Sequence, residues 1–185
     1  MKKQSLLSIL IIFFALSSLA QNTGSLKQFK TAGGLIGYGP TFSDNVKYRV
    51  YYFAGDFSWS FKKPRKKDFV SLYFEPQFNL VRTERPWDIE FGANLGLRNY
   101  VKINEGFYFY QSLGSGPHFI TAELNRQAKG FIFSDNLFLG ALTRLKGEIF
   151  LNTQIGIRHI SNAGLKLPNK GVNCYTFRIG ISRRK

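Results

Sequence analysis

Residues 69–80 read Phe69-Val70-Ser71-Leu72-Tyr73-Phe74-Glu75-Pro76-Gln77-Phe78-Asn79-Leu80, and they alternate between two kinds of side chain. One set is apolar throughout: Val70, Leu72, Phe74, Pro76, Phe78 and Leu80. The other set is mainly polar: Phe69, Ser71, Tyr73, Glu75, Gln77 and Asn79. Because successive side chains of a β-strand point to opposite faces, the alternation predicts a strand with one apolar and one polar face.

The same alternation recurs along the chain in short runs that are rich in aromatic residues and separated by turn-forming residues. Strands that cross a membrane as part of a barrel need about 9–11 residues, whereas soluble strands average about 5–6. Eight candidate strands reach the longer length, at roughly 32–42, 47–62, 68–81, 88–102, 106–115, 129–144, 147–161 and 171–183. The sixth is the least regular, because Ser134, Asp135 and Asn136 blur its alternation. An even number of such strands predicts an all-β fold, an eight-stranded antiparallel transmembrane β-barrel.

The polar faces predict what fills the barrel. A barrel of eight strands is too narrow for an open channel, so its interior must be packed with side chains. The expected internal network consists of Glu75, Glu90, Glu148, Arg98, Arg158 and Arg178.

The first twenty residues have the pattern of a secretory signal peptide. Lys2 and Lys3 precede the apolar run Leu6 to Leu16, and Ser18-Leu19-Ala20 offers a small-x-small cleavage site. We therefore expect residues 1–20 to be a signal peptide and residues 21–185 to form one barrel domain in the outer membrane. Because the chain has one cysteine, Cys174, no disulfide can form within it.

The formal net charge of +15 favours anionic partners. No nucleic-acid-binding motif is present and export is predicted, so the anionic headgroups of membrane lipids are the expected partners. The run Lys62-Lys63-Pro64-Arg65-Lys66-Lys67 reads equally well as a loop at a membrane surface or as a solvated connection. The pattern leaves a monomer and a homodimer both open.

A histidine and a serine lie two residues apart near the C-terminus, in His159-Ile160-Ser161. Residues i and i+2 of a strand share a face about 6.5–7 Å apart, so the imidazole can reach the hydroxyl, as base-activated nucleophilic catalysis requires. Both residues share the parity of the apolar Ile149, Leu151, Ile155 and Ile157. The pair is therefore predicted to face lipid, where polar groups are costly unless they serve a function.

The segment from His159 to Gly171 reads H-x-S-N-A-G-L-K-x-P-N-x-G and resembles the signature of the lipid A 3-O-deacylase (PagL) family of outer-membrane esterases. The resemblance implies an eight-stranded barrel that removes the 3-linked acyl chain of lipid A with a lipid-facing Ser-His-Glu triad. It implies Ser161 as nucleophile and His159 as general base. It also places Asn162, Gly164 and Asn169 around the oxyanion.

This sequence departs from the family at the third triad position, where Asn173 stands in place of the glutamate. An amide can hold the imidazole by a hydrogen bond but cannot stabilise the imidazolium with a full charge. If strands seven and eight form a hairpin, Asn173 can lie beside His159. A distant carboxylate such as Glu123 could supply the missing charge.

The sequence alone is compatible with three functional hypotheses. The first is a lipid A esterase without metal or cofactor, in the outer membrane. The second is a non-catalytic outer-membrane barrel with a structural or lipid-binding role, and the third is a soluble exported β-sandwich. The other histidine, His118, follows Gly114-Ser115-Gly116-Pro117, which predicts a loop and a histidine without a catalytic role.

Overall fold

The computed structural model describes residues 29–42, 46–60, 67–84 and 87–185, and they form a closed antiparallel barrel. The eight strands are β1 (Lys30–Pro40), β2 (Arg49–Ser60), β3 (Asp68–Arg82), β4 (Asp88–Asn104), β5 (Phe107–Ile120), β6 (Gly130–Lys146), β7 (Ile149–Ser161) and β8 (Val172–Arg184). Each strand pairs with its neighbour in sequence, and β1 pairs with β8 to close the sheet. The predicted fold class is confirmed. The predicted signal peptide and residues 62–66 of the basic run lie outside the described residues.

Alternation places the apolar side chains on the outside, as predicted from residues 69–80. Phe74 and Phe78 are exposed, while their neighbours Glu75, Gln77 and Asn79 are buried. The sixth strand pairs with β5 and β7 along its length despite its mixed sequence, with a register shift against β7 between Arg144 and Lys146. In the part of the chain that the structure describes, no helix is long and apolar enough to cross a membrane.

The fifth strand is longer than predicted. The prediction of a loop at residues 114–118 is wrong, because these residues belong to β5. The strand continues to Ile120, and His118 pairs with Gly92 on one side and Ile132 on the other. Glycine allows β5 to lie this close to β4, because a Cβ on Gly116 would lie 1.8 Å from the carbonyl oxygen of Ala93. His118 is consequently buried in the barrel, with Nδ1 2.7 Å from Glu90 Oε1.

Buried ion pairs fill the middle of the barrel. The guanidinium of Arg98 donates to both oxygens of Asp56, at 2.9 and 3.1 Å. Arg178 Nη1 lies 2.7 Å from Glu75 Oε1, and Arg158 pairs with Glu90. The prediction is wrong for Glu148, which precedes β7 in a turn and pairs with Arg184 at the rim.

Two apolar clusters lie on either side of this ionic layer. One is formed by Val46, Tyr48, Val50, Tyr52, Val81, Ile120, Ala122, Leu124, Ile132, Ile160, Val172 and Cys174. The other is formed by Phe29, Phe69, Tyr100, Tyr108, Tyr110, Leu142 and Phe150. The described lumen is thus packed with side chains, so any chemistry at Ser161 must take place on the outer surface.

The two ends of the barrel differ in their connections. At one end, called here the loop end, the connections that the structure describes in full are residues 121–129 and 162–171. At the opposite end, the connections described in full are two-residue turns, at 105–106 and 147–148. His159 and Ser161 lie at the last positions of β7, beside the loop end.

Candidate active site

Four polar side chains form a row across the lipid-facing surface of strands β5 to β8. Strand register pairs Ser115 with Asp135, Asp135 with His159, and His159 with Asn173. We call this set the polar row. Apolar rows border it, with Leu113, Leu137, Ile157 and Tyr175 on the side away from the loop end. The barrel therefore brings together, on one surface, residues from four strands.

The hydrogen bond between His159 and Asn173 fixes the imidazole. His159 Nδ1 lies 2.7 Å from Asn173 Oδ1. Because an amide oxygen can only accept, Nδ1 carries the proton, and Nε2 is left as an acceptor. This is the tautomer that a general base needs. The two residues face each other because β7 and β8 form the hairpin expected from the sequence.

Ser161 lies two residues beyond His159 on the same outward face, and both side chains are half-buried. Among the described residues, Ser161 Oγ has no hydrogen-bond partner, so the hydroxyl is available to a substrate. Catalytic hydrogen bonds are often long or absent before substrate binds. The structure thus presents an accepting imidazole nitrogen and an uncommitted hydroxyl on one face.

The loop after Ser161 is held by the side chain of Asn162, which is 2 % exposed. Its Nδ2 donates to Lys166 O at 2.6 Å, and its Oδ1 accepts from Gly164 N at 3.1 Å. Asn169 Oδ1 accepts from Asn162 N at 2.9 Å. Asn162 and the Gly164 amide are thus committed to the loop itself. Among the side-chain amide groups of Asn162 and Asn169 and the backbone N–H of Gly164, only Asn169 Nδ2 has no hydrogen-bond partner within the described residues.

Gly171 packs against the same imidazole and ends the loop. A Cβ at this position would lie 2.4 Å from His159 Cε1 and 2.9 Å from Nε2. Its φ of +67° is also unfavourable for other residues. Glycine is therefore required both by the backbone and by the position of the ring.

The carboxylate nearest to His159 in the strand register is Asp135, which the sequence analysis treated only as an irregularity of the sixth strand. Glu123 lies instead in the loop between β5 and β6. Parity was the available signal, because Phe131, Phe133, Leu137 and Leu139 surround Asp135 on the outward positions of β6. No group of three or more His, Cys, Asp or Glu suited to a metal ion occurs in the described ranges.

A family model described as "Lipid A 3-O-deacylase (PagL)" matches residues 40–182 of the chain. This range contains β2 to β7, most of β8, and every residue of the candidate site. No curated protein sequence matches the chain.

Solved structures with the same fold include the crystal structure of the outer membrane enzyme PagL. That structure is 15 % identical with a TM-score of 0.63, over 81 % of this chain and 97 % of that one. Neisserial surface protein A (NspA) is 9 % identical with a TM-score of 0.55, over 87 % and 99 % of the two chains. Ail, the attachment invasion locus protein of Yersinia pestis, is 13 % identical with a TM-score of 0.51, over 87 % and 100 %. At these identities the likeness shows the eight-stranded barrel fold.

Proposed function

The chain belongs to the lipid A 3-O-deacylase (PagL) family, and from this premise we propose that Ser161 and His159 hydrolyse the 3-O-linked acyl ester of lipid A. Membership makes the protein an ester hydrolase of the outer membrane that deacylates lipid A. The observation that supports the residue assignment is the His159–Asn173 hydrogen bond, which leaves Nε2 as an acceptor on the strand face that also carries Ser161.

The reaction begins when His159 Nε2 removes the proton from Ser161 Oγ as the oxygen attacks the acyl carbonyl carbon. The tetrahedral intermediate collapses, and the sugar oxygen leaves with the proton held by His159. The acyl group is then bound to Ser161. A water molecule, deprotonated by His159, hydrolyses this ester and restores the serine.

The negative charge that develops on the carbonyl oxygen needs a hydrogen-bond donor in place before the reaction. Asn169 Nδ2 is the donor best suited to this role, because its Oδ1 is anchored by Asn162 N and its amide nitrogen is uncommitted. Asn162 and Gly164, predicted as oxyanion residues, act through the shape of the loop, since their hydrogen bonds are made within it.

The outward position of the site suits a lipid substrate. Outer-membrane barrels have short periplasmic turns and longer extracellular loops, so the loop end faces outside. Ser161 then lies near the outer surface of the membrane, at the level of the ester bonds of lipid A. The acyl chain can remain among the lipids along the exposed Ile155, Ile157 and Phe177 while the ester reacts. On this view residues 1–20 are removed during export, which the mass of the purified barrel tests.

The proposal is tested by mass spectrometry of lipid A from Gram-negative cells that express the chain, beside a Ser161→Ala variant. We expect loss of one 3-O-linked hydroxyacyl chain with the wild-type protein and intact lipid A with the variant. Thr153→Ala removes an outward hydroxyl of the same strand and should retain activity. Unchanged lipid A from wild-type protein folded in the outer membrane would overturn the substrate, and activity in Ser161→Ala would overturn the mechanism.

A further inference from the structure

We propose that Asp135 supplies the negative charge beside His159 that Asn173 lacks, so that the imidazole works between a neutral orienting group and a separate carboxylate. This inference rests on the proposed roles of Ser161 and His159. In this arrangement Asn173 on β8 orients the imidazole and Asp135 on β6 supplies the negative charge, whereas a glutamate in the family's triad would do both. Asp135 is a positioning residue, since it acts on the reaction through His159.

The register of the barrel puts Asp135 and Asn173 on opposite sides of the histidine. Asp135 pairs with His159 across β6 and β7, and Asn173 pairs with it across β7 and β8. Side chains directly opposite on neighbouring antiparallel strands have Cβ atoms about 4.5–5.5 Å apart. The two residues are thus neighbours across one strand spacing, on the same lipid-facing side of the sheet.

The carboxylate is held in place but not neutralised. Ser115 Oγ donates to Asp135 Oδ1 at 2.5 Å, from the strand on the far side of β6. Among the described residues, Asp135 has no salt-bridge partner. The next polar group in the row is His159.

Apart from its hydrogen bond with Ser115, Asp135 is surrounded by apolar side chains on its own strand. The neighbouring outward residues on β6 are Phe133 and Leu137, and the surface around them faces lipid. A carboxylate on such a surface costs free energy unless it is paired or has a function. The charge becomes favourable when His159 takes the serine proton, because the imidazolium then lies beside it in surroundings that screen charge poorly.

The other charged groups near the row do not provide an equivalent anion. On β7 itself, Arg158 points into the lumen and pairs with Glu90. The loops at this end carry cations at Arg126, Lys129, Lys166 and Lys170, and the carboxylate of Glu123 lies in the loop between β5 and β6, not on a strand beside His159. On β8 the groups that face outward are Asn173 and Tyr175, which are neutral. Asp135 is thus the anion that the described strands place next to His159.

The test is a double-mutant cycle on the purified full-length barrel, folded in detergent micelles, with lipopolysaccharide as substrate and with kcat and KM measured separately. Asp135→Asn should lower kcat on the order of tenfold with little change in KM, because the charge acts only when the imidazolium forms. Asp135→Glu, which keeps the charge, should retain most of kcat.

The second arm uses Asn173→Glu, which restores the family's carboxylate on the other side of the ring. In that background Asp135→Asn should change kcat by less than about threefold, because the charge is then supplied twice. An equal loss in both backgrounds, an equal loss in Asp135→Asn and Asp135→Glu, or no loss in Asp135→Asn would each overturn the inference. Ser161→Ala separates the two proposals, because activity in that variant removes the mechanism on which this one rests.

Discussion

At the scale of single residues, the packing of Gly171 against His159 predicts a specific loss of activity. In Gly171→Ala, the new Cβ would lie 2.4 Å from His159 Cε1, so the imidazole must leave its present position. A misplaced catalytic group costs about 100-fold even for a shift of about 1 Å, and we expect a loss of at least that order in the initial rate of deacylation.

A second glycine provides the control for this variant. Gly147, in the turn between β6 and β7, has a φ of +53°, and a Cβ there would meet nothing within 4 Å. Gly147→Ala therefore carries a similar backbone penalty, about 1–2 kcal/mol, without touching the site. Equal activities of the two variants would show that the ring position does not depend on Gly171.

The residues also show where sequence reasoning succeeds and where it stops. Strand parity and a hairpin were enough to predict that Asn173 lies beside His159, because both follow from local pattern. Asp135 could not be placed in the same way, since its pairing with His159 depends on the register shift between Arg144 and Lys146 in the hairpin of β6 and β7. His118 was assigned to a loop because glycine and proline usually end strands, and its burial depends on the close approach of β4 at Gly116.

At the scale of elements, the loop between β7 and β8 is stabilised by hydrogen bonds to a single buried side chain. Asn162→Ala removes the bonds to Lys166 O and Gly164 N, and we expect the loop to open locally while the barrel remains folded. Trypsin should then cleave after Lys166 or Lys170 faster than in the wild-type protein, as gel electrophoresis of the folded barrel would show. Deacylation should fall in parallel, because Asn169 loses its fixed position.

The matched control for this loop is Asn104→Ala. Asn104 Oδ1 accepts from Gly106 N at 2.8 Å in the turn between β4 and β5, at the opposite end of the barrel. This variant loses a comparable side chain–backbone bond far from the site, and cleavage at Lys166 and Lys170 should be unchanged. Wild-type cleavage rates in Asn162→Ala would mean that the loop is held by its other contacts, such as Ala128 N to Pro168 O.

At the scale of the whole molecule, the packed interior and the proposed catalytic residues occupy opposite faces of one sheet. The lumen holds the buried ion pairs and the apolar clusters, whereas the polar row lies on the outside. The sequence predicted the strands and most of the lumen residues from alternation. The sequence did not predict which carboxylate pairs with which arginine in the lumen, because these pairings depend on the tilt and closure of the sheet.

This separation predicts that a lumen substitution lowers stability without changing the chemistry. Arg98→Met leaves the carboxylate of Asp56, which is fully buried, without its cation, and loss of one partner of a buried pair typically costs about 3–5 kcal/mol. Lys102→Met removes a cation from an exposed pair with Glu105 and should cost much less, because water screens the charges of an exposed pair. Urea unfolding in lipid vesicles measures both values. The deacylation rate per folded molecule should equal that of the wild-type protein in each variant, and a large loss of that rate in Arg98→Met would show that the lumen and the lipid-facing site are coupled.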